Sequence, residues 1–165
     1  MQFHLDTTRL YLNPVTPDDA AFIFELVNTP GWLKFIGDRQ VYDLEAAAAY
    51  VQKMKGNGAA NSWVARLKEG ETPIGVVSFL KRDYLDHHDI GFAFLPRFGK
   101  QGYAYEAASA VLNNLMATGD YPCIYATTLP DNTNSIQLLE KLGLQFERVI
   151  RVGKEDLRLY AITSI

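Results

Sequence analysis

The chain has 165 residues, 48% of them hydrophobic, with a net charge of −3 and a pI near 5.6. That content is enough for one sizeable core, so a single domain over residues 1–165 is expected. The acidic balance argues against a dedicated nucleic-acid or membrane-surface binder, and no apolar run reaches the ~20 residues of a membrane helix.

In chain order, residues 9–15 read as a first strand. Thr16-Pro17-Asp18-Asp19 then opens a helix, with Thr16 as N-cap, Pro17 at the first helical position and acids in the first turn. Phe22, Ile23, Leu26 and Val27 recur at helical spacing and define its core face. Residues 28–40 are aromatic and aperiodic, and read as a loop or short turns. Asp43 caps a second helix over 44–55, which stops at Gly56. Strands follow at 62–68, 74–82 and 89–95, the first two joined by a hairpin-like turn at 69–73. The next helix, 104–117, buries Ala104, Ala107, Ala108, Val111, Leu112 and Leu115. Residues 123–129 form a strand, Asp131 or Asn132 caps a helix that Gly143 ends, and 146–152 with 157–162 make a C-terminal hairpin. The alternation predicts an α/β (α+β) fold. No linker, repeat or low-complexity stretch divides the chain.

The junction Gly99-Lys100-Gln101-Gly102-Tyr103-Ala104 joins a strand to a helix start. The first helical turn has N–H groups without partners, the helix dipole adds positive potential, and glycine lets an anion approach the backbone. A phosphorylated cofactor is therefore expected here. It is not held by a Walker A loop, because Gly99-Lys100 is followed by Gln101 rather than Ser or Thr. Nor is there a dinucleotide fingerprint: Gly56-Asn57-Gly58 lacks a third glycine and follows a helix. These failures disfavour a nucleotide-dependent oxidoreductase or kinase.

A second motif lies in Pro130-Asp131-Asn132-Thr133-Asn134-Ser135 through Leu139-Glu140-Lys141-Leu142-Gly143. Together with Gly102-Tyr103-Ala104-Tyr105-Glu106-Ala107, Thr8-Arg9-Leu10-Tyr11-Leu12 and residues 31–39, it resembles the GNAT superfamily of acetyl-CoA-dependent N-acetyltransferases. The similarity is to the RimJ/RimL-type branch, some of whose members acetylate N-termini of ribosomal proteins. The resemblance implies a central mixed, mostly antiparallel sheet flanked by helices. It implies acetyl-CoA, with its pyrophosphate on Gly99, Lys100, Gln101, Gly102, Tyr103 and Ala104 and its pantetheine arm beside Phe94, Leu95 and Asn132. Two positions depart from the branch: Gly99 stands where Gln or Arg is expected, and Lys100 where many members have glycine.

Each site residue has a plainer reading. Asn132 is a favoured helix cap, Arg97 and Lys100 are ordinary surface charges, and Ser135 is a first-turn polar residue. The resemblance gives Ser135 a sharper role, a hydroxyl near the CoA sulfur that donates to the departing thiolate. Many GNAT enzymes carry a tyrosine four residues later, where this chain has Leu139, which cannot donate. An amine nucleophile also needs a proton acceptor. Asp89 is the candidate, with His87 and His88 beside it; the alternative is a solvated strand end. Successive strand residues point to opposite faces, so no metal is expected from His87, His88 and Asp89. Trp32, Phe35 and Tyr42, on the aperiodic loop, are assigned to the acceptor wall as exposed recognition aromatics.

The expected activity is transfer of acetyl to a primary amine by direct attack on the thioester, the alternative being an acyl-CoA-binding sensor without turnover. The acceptor stays open between ribosomal-protein or other peptide N-termini and small amines, with the acidic pI leaning toward a cationic one. The single Cys123 excludes an intrachain disulfide and suits a reducing compartment. Residues 1–6 have neither a basic nor an apolar signal-peptide region, so a cytoplasmic chain is expected.

Overall fold

A computed structural model of the chain describes residues 3–55 and 60–163. Its frame is an eight-stranded, mostly antiparallel sheet in the order β1-β2-β3-β4-β5-β6-β8-β7. The strands are β1 (Leu5–Asp6), β2 (Leu10–Pro14), β3 (Ala60–Leu67), β4 (Pro73–Leu80), β5 (Asp89–Phe94), β6 (Cys123–Thr128), β7 (Gln145–Val152) and β8 (Glu155–Thr163). The helices are α1 (Ala20–Val27), α2 (Pro30–Phe35), α3 (Leu44–Lys55), α4 (Tyr103–Ala117) and α5 (Thr133–Lys141). This is the mixed α/β fold that the sequence predicts, with three local differences.

The first is β1, two residues paired with Leu12 and Tyr11 of β2, too short to leave a periodic signal. The second is the helix start at Thr16-Pro17, which opens as a 3-10 turn, Pro17–Asp19, before the α-helix begins at Ala20. Asp19 Oδ2 accepts the Thr16 N–H at 2.8 Å, so the opening is capped as expected. The third is α2, which lies inside the stretch read as loop or short turns. Thr29 caps it by accepting the Trp32 N–H, Pro30 holds the first helical position, and Gly37 leaves it at φ +117°. Six residues make fewer than two turns, which periodicity cannot detect. The same Thr-Pro opening that marks α1 was the available signal.

Alternating side chains send the sheet into two cores. On one face Leu10, Leu12, Trp63, Val77, Phe79 and Ile90 pack under Ala107, Val111, Leu112 and Leu115 of α4 and Leu139 of α5. On the other, Val64, Val76 and Leu95 pack against Phe22, Ile23, Leu26 and Val27 of α1 and Ala47 and Val51 of α3. Asp43 caps α3, its Oδ1 accepting the Ala46 N–H at 2.7 Å. Gly56, expected to end that helix, lies outside the described residues. Among the described residues no helix is long and apolar enough to cross a membrane.

Candidate active site

The site forms where two parallel strands part. β5 and β6 pair at Asp89 and Tyr125, where the Tyr125 N–H donates to the His88 carbonyl at 2.9 Å. Beyond that point β5 stays with β4 through Phe94, and β6 follows β8 through Thr128. Leu95 donates its N–H to Ile74 on the β4 side at 2.8 Å. By alternation, the backbone groups of Phe92 and Phe94 face the opposite way, into the wedge. Unpaired strand edges are templates for an extended partner. The wedge widens into a cleft of about 780 Å³, lined by β5, the end of β6, the start of α5, α2, α3 and the β7–β8 hairpin.

One end of the cleft abuts the start of α4 through Pro96 and Ala104. Gly102 is the N-cap residue at φ +83°, and the first helical bond runs from the Glu106 N–H to the Gly102 carbonyl at 3.0 Å. The N–H groups of Tyr103, Ala104 and Tyr105 therefore precede the helical ladder, and among the described residues no side chain caps them. That leaves backbone donors free at the start of a 15-residue helix, a geometry that suits an anion. Lys100 stands at φ +60°, left-handed for a residue with a side chain.

Two residues that the sequence reading passed over hold this loop. Arg9 donates from Nε to Glu106 Oε1 at 2.7 Å, from its backbone N–H to Glu106 Oε2 at 2.8 Å, and from Nη1 to the Gln101 carbonyl at 3.0 Å. Its guanidinium lies 4.2 Å from the Tyr103 ring centroid. Burial pushes the Glu106 carboxyl up, but the bonds from Thr7 and Arg9 outweigh it and hold the group below the usual glutamate range. Both residues sat in motifs already noted, Thr8-Arg9-Leu10 and Gly102 to Ala107. Nothing in the sequence showed that they meet.

The other end of the cleft is organised around Asp89, 4% exposed. Its Oδ2 accepts from Arg82 Nε at 3.0 Å, while Oδ1 is buried with no hydrogen-bond partner among the described residues. Burial drives the Asp89 carboxyl above the usual aspartate range, and Arg82 offsets only part of this. The solvated strand end is thus corrected: Asp89 is a buried carboxylate on the cleft lining. His87 and His88 are not on that lining. His88 stacks on Phe79 at 4.7 Å between centroids, His87 meets the edge of Tyr125, and burial holds His88 below its usual range.

Between the two ends lies the start of α5. Asn132 Oδ1 accepts the Ser135 N–H at 3.3 Å, so Asn132 does cap the helix, and it also lines the cleft. Ser135 lines the cleft too, and its hydroxyl has no hydrogen-bond partner among the described residues. Leu139 is buried beneath them.

The other assigned residues divide. Phe94 and Ala104 line the cleft; Gly99, Lys100, Gln101, Gly102 and Tyr103 adjoin it as the loop before α4. Leu95 does not belong: its side chain is 1% exposed in the core, and its N–H and carbonyl are taken by Ile74 and Phe98. Trp32 is corrected from exposed to 8% exposed; it packs in the core with α1 and α3, also lines the cleft, and its Nε1 has no partner among the described residues. Phe35 is half-buried and lines the cleft. Tyr42 is 66% exposed, lies off the lining, and donates to Asp38 Oδ2 at 2.6 Å.

A parting strand pair, a helix start without a side-chain cap and a buried carboxylate thus share one cleft. Residues 9–145 match the acetyltransferase (GNAT) domain family; the chain belongs to it and is an N-acetyltransferase. It is 32% identical to the uncharacterized N-acetyltransferase YnaD of Bacillus subtilis (strain 168), with 96% of each chain covered. It also matches a crystal structure of a GNAT-family acetyltransferase from Bacillus anthracis, with 27% identity, a TM-score of 0.83, and 98% of this chain and 99% of that one covered. A third match, in fold alone at 18% identity, is RimL, a ribosomal L7/L12 α-N-protein acetyltransferase solved with coenzyme A; the TM-score is 0.85, covering 98% of both chains.

Proposed function

We propose that the chain transfers an acetyl group from acetyl-CoA to a primary amine by direct attack, without an acyl-enzyme. One observation carries the reading: the free edge of Phe92 and Phe94 runs between the uncapped start of α4 and the Asp89 carboxylate. The pyrophosphate rests on the N–H groups of Tyr103, Ala104 and Tyr105. The pantetheine amides bond along β5 like an added strand, beside Asn132. The amine nitrogen attacks the thioester carbonyl carbon, the carbon–sulfur bond breaks, and the departing thiolate accepts a hydrogen bond from the Ser135 hydroxyl, which keeps its own proton; the thiolate is then protonated by the amine's proton, relayed from Asp89 through solvent. The proton released by the amine passes to Asp89, directly or through one water.

Several features support this order of events. A carboxyl with a raised pKa is a better proton acceptor than an ordinary one. Burial, and then Glu147, pushes the Cys123 thiol up, so it offers no thiolate for a covalent route. Catalysis then comes mainly from holding amine against thioester. The likeness to RimL makes protein N-termini one acceptor class to test. The test is thioester consumption across peptide and small-amine acceptors, with mass spectrometry of the product. Acetylated amine and free CoA in equal amounts are expected. Tight CoA binding without consumption would leave a sensor instead.

A further inference from the structure

The acceptor side of the cleft has one charge character on its helical wall. Trp32 and Phe35 of α2 with Ile36 at its C-cap, and Tyr50, Lys53 and Met54 of α3, face it at i, i+3, i+4 spacing. Among the described residues the only charges on this wall are Lys53 and Arg39, which follows α2. Neither has an ion pair or hydrogen bond among the described residues, whereas Arg9, Arg66, Arg82, Arg97 and Arg151 each pair with a carboxylate. The Trp32 Nε1–H on the same wall is buried and lacks an acceptor.

The wall reaches the Asp89 end of the cleft through Tyr50, which acts on Arg82, the hydrogen-bond partner of Asp89. Ala60 follows α3 after four residues and is in register with Leu80, which pairs with Asp89. Tyr50 lies near enough to Arg82 to act on it: desolvation weakens that guanidinium's hold on its proton, but Asp89, Tyr84 and Tyr50 reverse the effect. The acids of the cleft, Asp89 and Glu155, lie on β5 and the β7–β8 hairpin. The space is therefore bipolar, with carboxylates for a cationic amine on one side and unpaired cations on the other.

Resting on the transfer reading above, we infer that the acceptor carries a carboxylate near its amine, held by Arg39 and Lys53 while the amine meets Asp89. The net charge of −3 leans the other way, toward a cationic acceptor. A site is governed by the groups nearest to it, since screening removes distant exposed charges within ~10 Å. Polyamines would bring cations against Arg39 and Lys53.

A free amino acid and an acidic peptide side chain offer the same carboxylate, and matched acceptors separate them. One pair is an amino acid and its amide; the other is a peptide with Asp or Asn at its second position. The wild-type chain should favour the acid in at least one pair by ~10–100-fold in kcat/KM, the range of a charge-assisted contact. Arg39→Gln with Lys53→Gln should remove most of that preference and leave the acetyl-CoA KM unchanged; Arg39→Lys should restore part of it. Equal use of acid and amide, preference for a polyamine, or an acid preference that survives both substitutions would overturn the inference. Consumption without acid preference sinks this inference alone. No consumption with any amine sinks the transfer reading and this inference together.

Discussion

The two ends of the cleft are built on opposite terms. Where α4 begins, Glu106 receives bonds from Thr7 and from two nitrogens of Arg9, and Arg9 in turn binds the Gln101 carbonyl. Among the described residues the backbone N–H groups of Tyr103, Ala104 and Tyr105 have no side-chain cap there. At the other end, Asp89 Oδ1 and Trp32 Nε1 are buried without partners, and Arg39 and Lys53 are unpaired. A buried unpaired polar group such as Asp89 Oδ1 is costly to keep, and under the proposed function the acceptor completes its bonding. The first end suits a cofactor that never changes, and the second an acceptor that distinguishes one enzyme from another.

The contrast can be broken most sharply at Ala104. Glutamate in a first helical turn suits the helix dipole, so Ala104→Glu should leave the melting temperature nearly unchanged. The same charge faces the pyrophosphate and should weaken CoA binding about 100-fold, the scale of a lost charge-assisted contact replaced by repulsion. Calorimetry reporting wild-type affinity in the folded variant would remove the anion from this loop.

A smaller effect is expected from Ser135. Its backbone N–H, not its hydroxyl, takes part in the Asn132 cap. Ser135→Ala should therefore keep the melting temperature while lowering kcat about tenfold or more, with acetyl-CoA binding little changed. A wild-type kcat would leave the thiolate departing without help.

The two carboxylates are shifted in opposite directions, so both lose their contribution as pH falls but Asp89 loses it first. Burial raises Asp89, so proton acceptance should fail, as pH drops, at a pH above the ordinary aspartate value of 3.8. Arg82→Gln removes the group that counters burial, and should move that acid limb of the rate profile upward. Glu106 is held low, so its contribution to stability is present above the unfolded value of 4.5 and lost as pH falls through the lower folded value. Glu106→Gln should cost about 1–2 kcal/mol near neutrality and lose that acid dependence in thermal melts.

The smallest effect is at Lys100. Glycine relieves the left-handed backbone at φ +60° but adds freedom to the unfolded chain. Lys100→Gly should shift stability by less than about 1 kcal/mol, and loss of CoA affinity in that variant would assign the ammonium to a phosphate.

What was legible in the sequence follows the same division. The start of α4 depends on local chemistry, a glycine at positive φ before an amphipathic run, and could be read from neighbouring residues. Asp43 and Asn132 as caps belong to the same kind of signal. The insertion of β8 between β6 and β7 is a long-range pairing that no local pattern reports. Asp89 was named from its place at a strand start, but its burial depends on Arg82 folding back across seven residues. The Arg9–Glu106 contact spans 97 residues. Trp32 was misplaced because a helix of six residues hides its own periodicity, and a side chain on an apparent loop looks exposed.

The most direct test of the contrast is a titration of the ¹⁵N-labelled chain with CoA, followed by amide and indole NMR shifts. The backbone N–H signals of Phe92, Phe94, Tyr103, Ala104 and Tyr105 should move on CoA addition. The Trp32 indole N–H should stay in place until an acceptor is added. Movement of the Trp32 indole with CoA alone, and silence of the amides at the start of α4, would contradict the account.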